Sequence, residues 1–158
     1  MKEALASPLE LGSILNLSVI MNIIIWNSRG VLKPNFQHHV SELARRHNPA
    51  ILVVMETKLG GARVKEITDR LPFDGAIHTE TIGFAGGLWL LWNADLVEVV
   101  QLAKTEQEIH VEIHVEVKVL ATNLSWIFSA VYASPREVER NILWENLIKV
   151  GGVVVSKI

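Results

Sequence analysis

Residues 22–30 read Asn-Ile-Ile-Ile-Trp-Asn-Ser-Arg-Gly, and residues 50–58 read Ala-Ile-Leu-Val-Val-Met-Glu-Thr-Lys. Each holds a short apolar run rich in β-branched residues and bounded by polar or turn residues, the pattern of a strand buried on both faces. Between them, Ser28, Arg29 and Gly30 form a turn, and Pro34 can open a helix. Phe36, Val40, Leu43 and Ala44 fall at helical spacing, and Asn48-Pro49 ends the helix. The reading is strand, helix, strand, and such a unit places its two strands parallel.

Working outward, Gly60-Gly61 breaks the chain, and Val64, Ile67 and Leu71 mark a short second helix stopping at Pro72. Strands are then expected at Gly75–Thr79, Gly87–Trp92 and Leu96–Leu102, separated by Gly and Asn-Ala-Asp turn signals. Ile109–Val119 is the clearest period-two segment. Ile109, Val111, Ile113, Val115, Val117 and Val119 face one way, and His110, Glu112, His114, Glu116 and Lys118 the other. Leu124–Tyr132 reads as another strand. Pro135 starts a helix with Val138, Ile142, Leu143, Trp144 and Leu147 apolar, and Val153–Val155 is a last short strand after Gly151-Gly152. This order predicts a layered α/β domain with strands enough for two packed sheets.

The chain has 158 residues, 49% hydrophobic and 20% charged, with a mean hydropathy of +0.29. That suits one domain with a real core and excludes disorder as a description of the whole. Fifteen basic against seventeen acidic residues give a net charge of -2, so no general basic field can hold nucleic acid. Zero cysteine excludes disulfide scaffolds, thiolate zinc sites and cysteine nucleophiles. Leu11 to Trp26 is nearly uncharged, yet Asn16, Asn22 and several Ser and Gly residues interrupt it, and ahead of it Lys2 is followed by Glu3 and Glu10 sits just before the apolar part. Neither a membrane span nor a signal peptide is expected, so the chain is expected to be nuclear or cytoplasmic rather than secreted.

Asn27 and Glu56 end the first two strands, where open α/β sheets place their ligands. A carboxylate there can hold Mg²⁺, and an asparagine beside it can donate to a phosphate oxygen. A turn cap and a solvated carboxylate would explain the same two residues, and on spacing alone more often do. Tyr132, the only tyrosine, ends a strand, where its hydroxyl can reach a phosphate or simply stay wet on a half-buried ring. His110, Glu112 and His114 have metal-like spacing, but strand alternation explains every one of them as a polar face. His38, His39 and His47 read as surface residues. Gly83-Phe84-Ala85-Gly86-Gly87 lacks the ending of a phosphate-binding loop and reads as a tight turn before a strand.

The order of motifs says more than any one of them. Trp26-Asn27-Ser28-Arg29-Gly30 is followed by Met55-Glu56-Thr57-Lys58, Gly86-Gly87-Leu88-Trp89-Leu90-Leu91-Trp92 and Glu108-Ile109-His110-Val111. Val131-Tyr132-Ala133-Ser134-Pro135 comes next, with Arg140 and Trp144 in the following helix. The series resembles the N-terminal part of the endonuclease/exonuclease/phosphatase family, most of all the endonuclease domain of plant LINE-type retrotransposons, over about Asn22 to Leu147. The resemblance implies a four-layer α/β sandwich of the DNase I-like kind and Mg²⁺-dependent hydrolysis of phosphate esters, with DNA or RNA as partner. By motif, Asn27 and Tyr132 would be catalytic residues and Glu56 the metal-binding carboxylate.

The family pattern also calls for a Gly-Asp-Phe-Asn segment and an Asp-His pair after a serine, and neither occurs in these residues. Such sandwiches run to roughly 200–250 residues. The expectation is therefore a sandwich truncated before its C-terminal strands: a poorly defined leader at 1–21, a partial domain at 22–150 and a short tail at 151–158. Without the missing groups the domain is expected to be inactive, because catalytic groups that act as a unit fail together. The alternative is a non-catalytic module that reuses the fold to bind nucleic acid or protein.

Overall fold

The computed structural model describes residues 2–4, 21–81, 86–107, 110–133 and 153–156. The elements run β1 (Lys2–Ala4), β2 (Ile23–Asn27), α1 (Phe36–His47), β3 (Ile51–Met55), α2 (Arg63–Thr68), β4 (Gly75–His78) and β5 (Leu88–Trp92). They continue with β6 (Val97–Glu106), β7 (His110–Val119), β8 (Ser125–Ala133) and β9 (Val153–Ser156). The helix expected after Pro135, most of the apolar run from Leu11, and Gly83 to Ala85 lie outside the described residues.

Two sheets form, ordered β1-β2-β3-β5-β4 and β6-β7-β8-β9. The expected β-α-β unit is present: β2 and β3 are parallel, with Asn27 opposite Met55. β5 runs antiparallel to both β3 and β4. In the second sheet β6-β7-β8 form an antiparallel meander, and β9 adds in parallel to β8.

Alternation along the strands assigns the layers. Ile23, Ile25, Ile51, Val53, Leu88 and Leu90 face the second sheet and pack on Val111, Ile113, Val115, Val117 and Phe128. Ile24, Leu52, Val54, Trp89 and Leu91 face the opposite way and pack under Phe36, Val40 and Leu43 of α1 and Val64 of α2. The described residues form helices, sheet and second sheet, the arrangement of three of the four layers of a DNase I-like α/β sandwich. No helix among the described residues is long and apolar enough to cross a membrane.

The differences from the expected boundaries have local causes. α1 starts at Phe36, two residues after Pro34, because Lys33 to Asn35 form a turn in which Phe36 N–H donates to Lys33 O. It ends at Asn48, which adopts the left-handed conformation (φ 41°) and donates its N–H to Ala44 O, ahead of Pro49. α2 ends at Thr68 rather than Leu71, and the chain continues in tight turns that still bury Leu71. β6 runs four residues past Leu102, because a bulge there restores its pairing, and Ala103 to Glu106 face His114 to Val111.

Candidate functional site

The parallel pairing of β2 and β3 brings their C-terminal ends side by side, so Asn27 and Glu56 meet although 29 residues separate them. Asn27 Nδ2 donates to Glu56 Oε1 at 2.8 Å. Asn27 Oδ1 accepts the Arg29 N–H at 3.0 Å, which fixes the orientation of the amide. From the second sheet, Tyr132 OH donates to the same Glu56 Oε1 at 3.0 Å. The three residues named from the sequence thus form one cluster that bridges both sheets. Glu56 is the junction, partly buried, and Tyr132 belongs to the inter-sheet core.

The loops under this cluster are held by backbone. Ser28 N–H and Oγ both donate to Met55 O at 3.0 Å, and Val31 N–H donates to Thr57 O at 3.1 Å. Arg29, Glu56 and Lys58 take positive φ (54°, 53° and 53°), uncommon for such residues and costly by about 1–3 kcal/mol each. Strain at Glu56 itself and at two residues beside it marks a place where side-chain direction outweighs local comfort. A groove of about 330 Å³ opens between the loops, lined by Gly30, Val31, Leu32, Lys33, Thr57 and Lys58.

Burial, followed by the hydrogen bond to Glu56 and the carboxylate charge, pushes the Tyr132 phenol up to about 12. At neutral pH it is a protonated donor that steadies the Glu56 carboxylate.

The other candidates stand elsewhere. His110, Glu112 and His114 share the outer face of β7, opposite Val111 and Ile113, which face the inter-sheet core that holds Tyr132. They are not a bare polar face. Glu112 bridges the two imidazoles, with His110 Nε2 at 3.2 Å and His114 Nε2 at 2.8 Å, while His114 Nδ1 lies 2.7 Å from Ser129 Oγ. Among the described residues no group of three His, Cys, Asp or Glu is arranged to hold a metal ion. His38 and His39 are exposed on α1.

Sequence reasoning missed Gly86 and Gly87 as part of the site. Gly86 lies against Glu56, and Gly87 lies against the fully buried Thr57. The signal was the glycine pair itself, read as a turn.

No family model matches the chain, and no curated protein matches it in sequence. Solved structures do match in fold. The human Nocturnin catalytic domain with bound sulfate superposes with a TM-score of 0.58 at 13% identity, over 82% of this chain and 58% of that one. D. rerio TDP2 complexed with a single-strand DNA product gives 0.63 at 11% identity, over 86% and 58%. An endonuclease/exonuclease/phosphatase family protein from Bacteroides thetaiotaomicron gives 0.57 at 10%, over 86% and 62%. These neighbours are members of the endonuclease/exonuclease/phosphatase family, and at such identities the likeness establishes the fold. The chain spans about three-fifths of the length of the structures it matches.

Proposed function

We propose that this chain carries the metal-binding half of a Mg²⁺-dependent phosphoesterase site, with Glu56 as metal-binding carboxylate and Asn27 and Tyr132 as catalytic residues. The observation that carries the reading is the convergence of Asn27 and Tyr132, from two different sheets, on Glu56 Oε1. The donor set fits the ion: one oriented carboxylate among neutral oxygen and nitrogen groups suits a hard cation that keeps waters and substrate phosphate as its other ligands. When bound, Mg²⁺ would neutralise charge on the phosphoryl oxygens. Tyr132 holds its proton and aims the carboxylate, and Asn27 fixes it from the other side. The groove lined by Lys33 and Lys58 beside Glu56 suits the phosphates of DNA or RNA.

The 158 residues by themselves are, in this reading, inactive. They lack the Gly-Asp-Phe-Asn and Asp-His segments, and His110 and His114 stand on the outer face of the second sheet, away from Tyr132. No base to activate water is on offer from them. The motif order further suggests descent from a plant LINE-type retroelement.

The test uses the purified chain in two assays. Mn²⁺ in place of Mg²⁺ should bind with an affinity that Glu56→Gln lowers at least about tenfold. Supercoiled plasmid with Mg²⁺ should stay intact. Mn²⁺ binding indifferent to Glu56→Gln would overturn the metal assignment, and Mg²⁺-dependent nicking abolished by Glu56→Ala would overturn the inactivity.

A further inference from the structure

Glu56 needs a reason to hold a positive φ. Up to Met55 the β3-β5 ladder is regular, with Met55 opposite Leu88. Beyond it, Thr57 N–H donates to Gly87 O at 3.4 Å and Lys58 N–H to Gly86 O at 2.6 Å. A regular ladder would place Thr57 opposite Gly86, so the pairing slips by one residue at Glu56. Such a slip re-aims one side chain, a recurring use of β-bulges beside functional sites. Here it turns Glu56 toward Asn27 and Tyr132.

The partner strand must leave room for the turn. A Cβ on Gly86 would lie 3.0 Å from Glu56 Cα, 3.2 Å from its Cγ and 3.4 Å from its Cβ. A Cβ on Gly87, whose φ is +87°, would lie 2.2 Å from Thr57 Oγ1 and 3.0 Å from Thr81 Oγ1. We propose that Gly86 and Gly87 are positioning residues for the Glu56 carboxylate: their bare backbone is the surface against which the slipped residue is pressed into the site. This rests on the reading of Glu56 as metal ligand only where ion binding is concerned; the contact with Tyr132 stands apart from it.

Gly86→Ala is the sharper variant, because Gly86 has no positive φ and its new methyl displaces Glu56 by only a few tenths of an ångström. The readout is the coupling between Glu56 and Tyr132, measured at about pH 8 as the effect of Tyr132→Phe on urea unfolding. In the wild-type chain Tyr132→Phe should raise the unfolding equilibrium constant at least about tenfold. In the Gly86→Ala chain, where the carboxylate is displaced, the same change should raise it less than about threefold, and Gly86→Ala should alter the effect of Tyr132→Phe no further in a Glu56→Gln background. Mn²⁺ affinity should fall in parallel. An undiminished effect of Tyr132→Phe in the Gly86→Ala chain, or an equal reduction with and without the Glu56 carboxylate, would overturn the proposal. If wild type binds no Mn²⁺ while the coupling result holds, the metal reading fails and the positioning role stands. Should Gly86→Ala not fold, Glu56→Gly in the same chain removes the Cβ and Cγ the methyl meets. Recovery by Glu56→Gly but not by Lys58→Gly, which relieves the same φ without touching Gly86, supports the contact; equal recovery or none overturns it.

Discussion

Replacing Tyr132 by Phe removes one hydroxyl from the junction of the two sheets, and its cost should depend on pH in a calculable way. At about pH 8 the wild-type phenol is neutral and donates to Glu56 Oε1 at 3.0 Å, a hydrogen bond to a charged group worth about 1.5–3 kcal/mol. Tyr132→Phe should lose that amount in urea unfolding followed by tryptophan fluorescence. The phenol sits at about 12 in the folded chain, raised first by burial and then by Glu56, against about 10 unfolded. A raised value means that the folded state holds the proton more tightly. The associated stability is complete below about pH 10 and is lost as pH climbs toward 12. At about pH 11 the loss is about 1.4 kcal/mol if the full shift applies, and nearer about 1 kcal/mol once partial solvent screening of the hydroxyl is allowed for. Every other ionisable group is common to both chains, and no second tyrosine exists to confuse the difference. The gap between wild type and Tyr132→Phe should therefore narrow by about 1 kcal/mol between about pH 8 and 11. A gap that stays constant, or widens, would refute the reasoning.

Phe128→Ala empties a fully buried site between the sheets and should cost about 3–5 kcal/mol in the same urea experiment. Asn48→Ala forces an alanine into the left-handed turn that ends α1 and should cost about 1 kcal/mol, whereas Asn48→Gly should be close to neutral. β6 pairs only with β7 among the described residues and leaves Val100 and Leu102 about half exposed. A lysine at both positions should raise the concentration at which light scattering first detects aggregates, without lowering the melting temperature.

Much of the fold was legible because burial imposes period. Val111, Ile113, Val115 and Val117 are all fully buried and His110, Glu112 and His114 all point the other way, as alternation required. β6 was underestimated because its exposed edge relaxes the period, and its bulge shifts the face in mid-strand. α2 was overestimated because Leu71, three residues past its end, is buried by a turn that keeps helical spacing. In the site, Asn27 and Glu56 were legible as the ends of two adjacent parallel strands. The contact of Tyr132 with Glu56 was not, since 76 residues and a change of sheet lie between them and no local pattern carries that information. Nor does alternation show that Glu112 sits between two imidazoles; it shows only that all three share a face.

The division of the cluster between two sheets has a consequence for its stability. Asn27 and Glu56 belong to one sheet and Tyr132 to the other, so the 3.0 Å bond between Glu56 and Tyr132 measures how the sheets are seated on each other. That seating is fixed by the apolar layer of Val53, Leu88, Leu90, Val111, Ile113 and Phe128, which is close-packed and tolerates little sliding. Glu56, by contrast, is turned toward Tyr132 by a local backbone slip under strain. Distant core residues therefore set where the hydroxyl stands, and nearby glycines set where the carboxylate stands. A core substitution should break the pair by moving Tyr132 and lowering global stability together. A change at Gly86 should break it by moving Glu56 with little global cost, since the layer between the sheets is untouched.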